Sequence, residues 1–150
     1  MPDVLESTIA DDHERLLRRA AHEASQSFVC CSNKVGAPMV PGLFNPAEVA
    51  GHRLEDVRVY YSRETGPTKK RHVRAHRERL HGVVDLIAVE DPQVHAKFLL
   101  WDRDHTVVST MNWGSQSGSP DNPLDEIGLH LEGPGIATLL LAKFENHLRD

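Results

Sequence analysis

The 150-residue sequence has little cysteine, few aromatic residues and no long apolar segment. Its only two cysteines, Cys30 and Cys31, are adjacent and poorly placed to bridge each other, so no disulfide framework is expected. No apolar run approaches the roughly 20 residues of a membrane-spanning helix. Residues 1–19 carry acidic side chains where a secretion signal needs a positive start, and they lack an apolar central run. We therefore expect a cytoplasmic protein without a transmembrane segment.

The composition that is present is that of a globular domain. Hydrophobic residues make up 39% of the chain and charged residues 26%, and the length suits one ordinary domain. We expect a single domain over residues 1–150, with 1–10 as a flexible N-terminal segment. The formal net charge of -5 excludes general binding of nucleic acid by the whole surface.

Apolar periodicity and turn residues predict alternating strands and helices, followed by adjacent strands. The predicted helices cover 11–24, a short segment after Asn45, 68–81 and 136–148. The predicted strands cover 27–32, 57–61, 83–89, 94–101, 106–110 and 126–131, with loops at 33–44 and 114–123. In the last helix the expected core positions are Leu139, Leu140, Ala142, Phe144 and Leu148. This order predicts an α/β (α+β) sandwich with a mixed β-sheet flanked by helices.

The most informative stretch is 94–113, VHAKFLLWDRDHTVVSTMNW. On a strand, His95 and Lys97 project from the same face, and antiparallel pairing of the next strand would bring Thr110 and Asn112 close to them. An imidazole can attack an electrophile, while an ammonium and an amide can hold phosphate oxygens. No cluster has the spacing of a metal site. The residues therefore predict chemistry on a phosphoester without a metal or cofactor.

These residues also resemble the histidine–lysine–aspartate motif of the phospholipase D superfamily. His95-x-Lys97 is followed after four residues by Asp102 and, after six more, by 109–112 (STMN), where the family has Gly-Ser-x-Asn. Glu126 resembles the acidic residue that the family places after this loop. The resemblance covers about 11–150 and implies a phospholipase D-like half unit. We interpret Asp102 as shaping the turn through hydrogen bonds to nearby backbone N–H groups.

The resemblance implies a two-step reaction through a phosphohistidine. His95 would be the nucleophile or the general acid, and Lys97 and Asn112 would bind phosphate oxygens. Thr110 would be a helper donor, and Glu126 would orient an active-site histidine. Because the chain has one copy of the motif, the second copy must come from elsewhere. A homodimer is the simplest source, and a second motif-bearing domain of a longer protein is the alternative.

The substrate prediction rests on the basic helix at 68–81. Its cations could follow a nucleic-acid backbone, although charge runs are usually solvated helix faces. The expected nucleic-acid-binding residues are Lys69, Lys70, Arg71, Arg74 and Arg77. We favour a metal-independent nuclease acting on DNA or RNA. The alternatives are a phospholipase or phosphatidyl transferase, and a non-catalytic nucleic-acid-binding or dimerisation domain of a larger protein.

Two further features bear on these alternatives. Met39, Val40, Leu43 and Phe44 could contact lipid, but such residues more often form core under a loop. Trp113 could stack on a base or wall the pocket, and the wall is the favoured interpretation.

Overall fold

The structure is a computed structural model that describes residues 3–35, 40–64, 74–89, 95–110, 113, 118–119, 122–123 and 127–149. Its strands are β1 (Asp3–Ile9), β2 (Ser27–Val35), β3 (Asp56–Glu64), β4 (Asp85–Ala88), β5 (Phe98–Trp101), β6 (His105–Ser109), β7 (Gly118–Ser119), β8 (Asn122–Pro123) and β9 (Ile127–Glu132). Its helices are α1 (Ala10–Glu23), α2 (Asn45–Gly51), α3 (74–79) and α4 (Ile136–Arg149). A π-helical turn, Val40–Phe44, precedes α2.

Seven strands form one mixed sheet in the order β1-β9-β6-β5-β2-β3-β4. β2, β3 and β4 are mutually parallel, whereas β2–β5, β5–β6, β6–β9 and β9–β1 are antiparallel pairs. β7 and β8 form a separate two-stranded ribbon. The predicted mixed sheet flanked by helices is confirmed.

Helices cover both faces of the sheet, and the central strand β5 is buried on each side. Because side chains alternate along a strand, Leu99 and Trp101 point to the face covered by α1 and α2, here called the α1 face. Phe98 and Leu100 point to the other, the α4 face. A strand covered on both faces reads as a continuous apolar run, which explains the sequence FLLW.

The prediction that residues 1–10 form a flexible segment is wrong for residues 3–9. Residues 3–9 form edge strand β1, which pairs antiparallel with β9 from Asp3↔Glu132 to Ile9↔Ile127. The partner lies near the other end of the chain, so local patterns could not show it. β2 continues to Val35 and the π-helical turn begins at Val40, so both ends of the predicted loop 33–44 are regular structure. Leu43 and Phe44, at the end of that predicted loop, are fully buried.

Two predictions about the last third of the chain need correction. β5 begins at Phe98, so His95 and Lys97 lie just ahead of the strand that was predicted to contain them. In α4, Leu139 is 60% exposed and Ala142 is also exposed, although both were predicted to be core. The helix buries only a narrow stripe, of which Phe144 is part.

Candidate functional site

His95 and Lys97 form a contacting pair at one end of the sheet, which we call the histidine end. The Lys97 Nζ lies 3.3 Å from His95 Nδ1 and donates to the His95 carbonyl oxygen at 3.1 Å. His95 is exposed and Lys97 half-buried. Since an ammonium has donors but no acceptor, Nδ1 must accept in this contact. The predicted pairing of these two side chains is therefore present in the structure.

The end of β6 and the beginning of β9 lie at the same end of the sheet. The Ser109 N–H donates to the Lys97 carbonyl at 3.1 Å, which extends the β5–β6 ladder by one bond. The Thr110 N–H donates to the Ile127 carbonyl at 3.0 Å, and the Ile127 N–H donates back to Thr110 Oγ1 at 3.1 Å. Thr110, predicted as a helper donor, is thus adjacent to the pair and tied to β9. The predicted site residues Asn112 and Glu126 lie outside the described residues.

Trp113 packs in the core of the α1 face. It is fully buried, and its backbone N–H donates to Ser32 Oγ at 2.7 Å. Its ring and the His13 ring are T-shaped to each other, with centroids 5.0 Å apart. A fully buried ring cannot stack on a base, so that interpretation of Trp113 is wrong. The role of Ser32 was missed. The only signal for it in the sequence was a serine hydroxyl at the end of the apolar run 27–32 (SFVCCS).

The two cysteines are buried free thiols. Burial raises the pKa of Cys31 to about 12, although the nearby Lys97 charge opposes the shift. Burial also raises the pKa of Cys30 well above its ordinary value. Cys31 Sγ donates to the Ala96 carbonyl at 3.4 Å, directly between the two residues of the pair. A thiol held neutral is a poor nucleophile, so we assign both cysteines to the core and not to the chemistry of the site.

Asp102 lies at the opposite end of β5, about 16 Å from Lys97 at the rise of a strand. Its φ of 55° is left-handed, and its carboxylate accepts from the N–H groups of Ser25 and Gln26 at 2.9 and 2.7 Å. A weaker bond comes from the Ser27 N–H at 3.3 Å. Asp102 therefore joins the β5–β6 turn to the start of β2, and this separation keeps it from touching a group bound at His95.

A cavity of about 260 Å³ also lies at this opposite end, between the sheet and α4. Ser27, Asp102, Arg103 and Thr138 are among its lining residues. Because it adjoins Asp102 and not His95, it is not the pocket of the histidine–lysine pair. That pair lies at the surface, with His95 exposed and Lys97 half-buried.

Part of the basic helix is described, and its arginines differ in their surroundings. Arg74 is exposed. Arg77 donates to the Tyr61 hydroxyl, and its guanidinium lies 5.9 Å from the centre of the Tyr61 ring. Because Tyr61 is near the carboxyl end of β3, α3 lies towards the histidine end. Arg79 is paired with Glu48. Lys69, Lys70 and Arg71 lie outside the described residues.

Within the described residues, no group of three or more His, Cys, Asp and Glu side chains is arranged to hold a metal ion. None of the helices in the same part of the chain is long and apolar enough to cross a bilayer.

No family model matches the chain, and no curated protein matches it by sequence. Solved structures do match it. The phospholipase D family member Nuc from Salmonella typhimurium superposes with a TM-score of 0.71 at 16% identity, over 100% of this chain and 93% of its own. NucT from Helicobacter pylori gives a TM-score of 0.59 at 11% identity, over 99% and 94%. A phosphatidylserine synthase from Haemophilus influenzae gives 0.68 at 11%, over 98% of this chain and 37% of its own.

Proposed function

We propose that the chain is a phosphodiesterase of the phospholipase D type, a nuclease that cleaves DNA or RNA without a metal ion. Its fold matches solved structures of phospholipase D-like proteins, as the resemblance implied. We further propose that a second copy of the motif completes its site. The observation that carries the proposal is the Lys97–His95 contact at an exposed end of the sheet, at the spacing of the family motif.

In the first step, a lone pair on a His95 ring nitrogen attacks phosphorus, and the bond from phosphorus to the leaving oxygen breaks. A second imidazole, from the other motif copy, donates its proton to that oxygen. In the second step the same imidazole takes a proton from water, and the water oxygen attacks phosphorus. The phosphorus–nitrogen bond then breaks, which restores His95 and releases the phosphate product.

Lys97 supports this cycle by moving between two partners. In the structure it faces Nδ1 and the carbonyl oxygen of His95. A bound phosphodiester offers it a charged acceptor, which is a stronger partner than a neutral ring nitrogen. Transfer of Lys97 to a phosphate oxygen would release the imidazole and neutralise charge that grows in the transition state. Glu126 is then proposed to accept a hydrogen bond from the imidazole, and Asn112 to bind a second oxygen.

Two observations favour nucleic acid over lipid as the substrate. The contact of Arg77 with Tyr61 brings the basic helix α3 towards the histidine end, where Arg74 adds an exposed positive charge. Such cations neutralise successive phosphates of a strand. Leu43 and Phe44, which could have entered a membrane, are fully buried in the core.

The test is cleavage of plasmid DNA, single-stranded DNA, RNA and phosphatidylcholine vesicles in excess EDTA. We expect at least one nucleic acid to be cut, and His95→Ala to reduce the rate by about 1000-fold or more, since the nucleophile is lost. His22→Ala is the matched control, because His22 is an exposed histidine on α1, away from the histidine end. It should cut at the wild-type rate. Loss of all cleavage in EDTA would refute the metal-free mechanism, and cleavage of vesicles alone would refute the nuclease assignment.

A further inference from the structure

Arg77 on α3 is held in place by a neutral group. It donates to the Tyr61 hydroxyl, and its guanidinium lies 5.9 Å from the centre of the Tyr61 ring. Contact with a neutral phenol orients a guanidinium without cancelling its charge. Arg79, two residues further along α3, is instead paired with the carboxylate of Glu48. Arg77 is therefore a positive charge that is oriented and not neutralised by these contacts.

Tyr61 is a rigid support for this charge. It is 1% exposed and packs in the core cluster of the α1 face. Leu80, which follows α3, is buried in the same cluster, so α3 lies over the α1 face as well. An arginine loses side-chain entropy when it binds an anion, and an arginine that is already held loses less. The contact with Tyr61 therefore prepares Arg77 to bind an anion.

The register of the sheet gives the distance between Tyr61 and Lys97. Ser32 on β2 is paired with Tyr61 on β3, and Cys31 is paired with Phe98 on β5. One further step of the antiparallel β2–β5 register puts Lys97 opposite Ser32. Lys97 and Tyr61 are thus two strands apart, about 10 Å between their backbones at the usual strand spacing.

Lys97 and Tyr61 also lie on the same face of the sheet. The bond from the Ser109 N–H to the Lys97 carbonyl continues the β5–β6 ladder to Lys97, so the alternation of side chains extends to it. Lys97 is two residues from Leu99, and both Leu99 and Tyr61 belong to the cluster of the α1 face. A ligand that contacts Lys97 can therefore reach Arg77 without crossing the sheet.

The separation of the two cations suits a strand of nucleic acid. Each nucleotide advances a strand by about 3.4 Å, so about 10 Å corresponds to roughly three nucleotides. A guanidinium has five N–H donors, and it can give two parallel hydrogen bonds to a phosphate. The bond to the Tyr61 hydroxyl leaves Arg77 enough donors for such a contact.

We propose that Arg77 binds a second phosphate of the strand, roughly three nucleotides from the phosphate at His95, and that Tyr61 is a positioning residue for Arg77. The inference rests on the proposed function for the place of the phosphate that is cleaved. It identifies the substrate as a polynucleotide, because a small phosphodiester with one phosphate cannot contact His95 and Arg77 together.

The test is the binding of a single-stranded DNA of about 12 nucleotides, measured by fluorescence anisotropy at several salt concentrations. Every chain carries His95→Ala, so that binding is measured without cleavage. We expect Arg77→Gln to weaken binding about 10-fold and to reduce the slope of log K against log salt by about 0.7, the value of one phosphate contact. Tyr61→Phe keeps the charge, so it should weaken binding about 3-fold at an unchanged slope.

The chain offers a matched control for each variant. Arg79→Gln removes the same charge from the same helix, but Arg79 is already paired with Glu48. Tyr60→Phe removes the hydroxyl of the neighbouring tyrosine, which accepts from Arg58 at 3.3 Å and lies on the α4 face. Both controls should bind the DNA as the parent chain does. Circular dichroism melts establish that each variant is folded.

Cleavage distinguishes a lost contact from damage to the site. In chains that keep His95, Arg77→Gln should raise KM for the oligonucleotide about 10-fold and leave kcat within about 2-fold, because a contact far from the reacting phosphate contributes uniform binding. Hydrolysis of bis(4-nitrophenyl) phosphate, which has one phosphate, should be unchanged.

The outcomes separate this inference from the proposed function. Parent-like affinity and slope in Arg77→Gln, or an equal loss in Arg79→Gln, would overturn the second phosphate contact even if the wild type cleaves nucleic acid. A parent chain that does not bind the DNA would overturn it as well. Weaker binding confined to Arg77→Gln and Tyr61→Phe would support it, even if no substrate is cleaved and the proposed function fails. Arg77→Gln alters an exposed residue, so it decides the matter alone if Tyr61→Phe does not fold.

Discussion

At the residue scale, the described residues of the motif divide into those that lie at the histidine end and Asp102, which does not. The spacing of His95 and Lys97 predicted their contact, because two residues of extended chain bring side chains to one side. Asp102 was interpreted as shaping its turn through hydrogen bonds to nearby backbone N–H groups. Its carboxylate does accept from backbone N–H groups, but they belong to Ser25 and Gln26, more than 70 residues earlier in the chain. Such a partner depends on the pairing of β2 with β5, which the local sequence does not specify.

This role of Asp102 predicts a loss of stability that exceeds any loss of chemistry. Asp102→Ala should lower the free energy of unfolding by about 1–3 kcal/mol, since it removes the hydrogen bonds to the Ser25 and Gln26 N–H groups and puts alanine at a positive φ. Asp102→Gly removes the same hydrogen bonds but tolerates the backbone, so it should cost roughly 1 kcal/mol less. Urea denaturation measures both. At a temperature where each variant is folded, cleavage should stay within a few-fold of wild type; a large loss of rate with unchanged stability would contradict this account.

At the scale of elements, period and turn residues identified most of the helices and strands, including the antiparallel β5–β6 pair. β1 was missed because an edge strand gains its hydrogen bonds from a distant partner, here β9. α4 was assigned correctly, but two of its five expected core positions face outwards. A run of Leu and Ala on successive positions does not reveal which line of the helix meets the sheet.

β2 offers a test of burial at this scale. Because burial raises the pKa of Cys31 from 9.0 to about 12, the native state favours the neutral thiol. The stability that the native state gains from keeping this thiol neutral is therefore complete below pH 9, and it is lost as the pH rises towards 12. We expect neither Cys30 nor Cys31 to react with a thiol reagent at pH 8, and both to react in concentrated urea. Rapid labelling of the native protein would show that the β2 core is open.

At the scale of the whole molecule, the proposed function places a phosphodiester on a protein whose net charge is -5. The arginines of α3 provide a local positive region, and His95 at the histidine end would provide one of the two imidazoles that the proposal requires. The length and composition predicted a single domain, but they do not indicate that the chain forms only half of a site, as the proposed function requires. That proposal depends on the single motif copy together with the exposure of His95.

The most direct measurement is cleavage by a purified mixed dimer. Wild-type and His95→Ala chains with different affinity tags are co-expressed, and the mixed species is isolated through both tags. If the two imidazoles act on one phosphorus atom, the mixed dimer has only the background rate of the His95→Ala dimer. A mixed dimer with about half the wild-type rate, as two independent sites would give, would contradict the account.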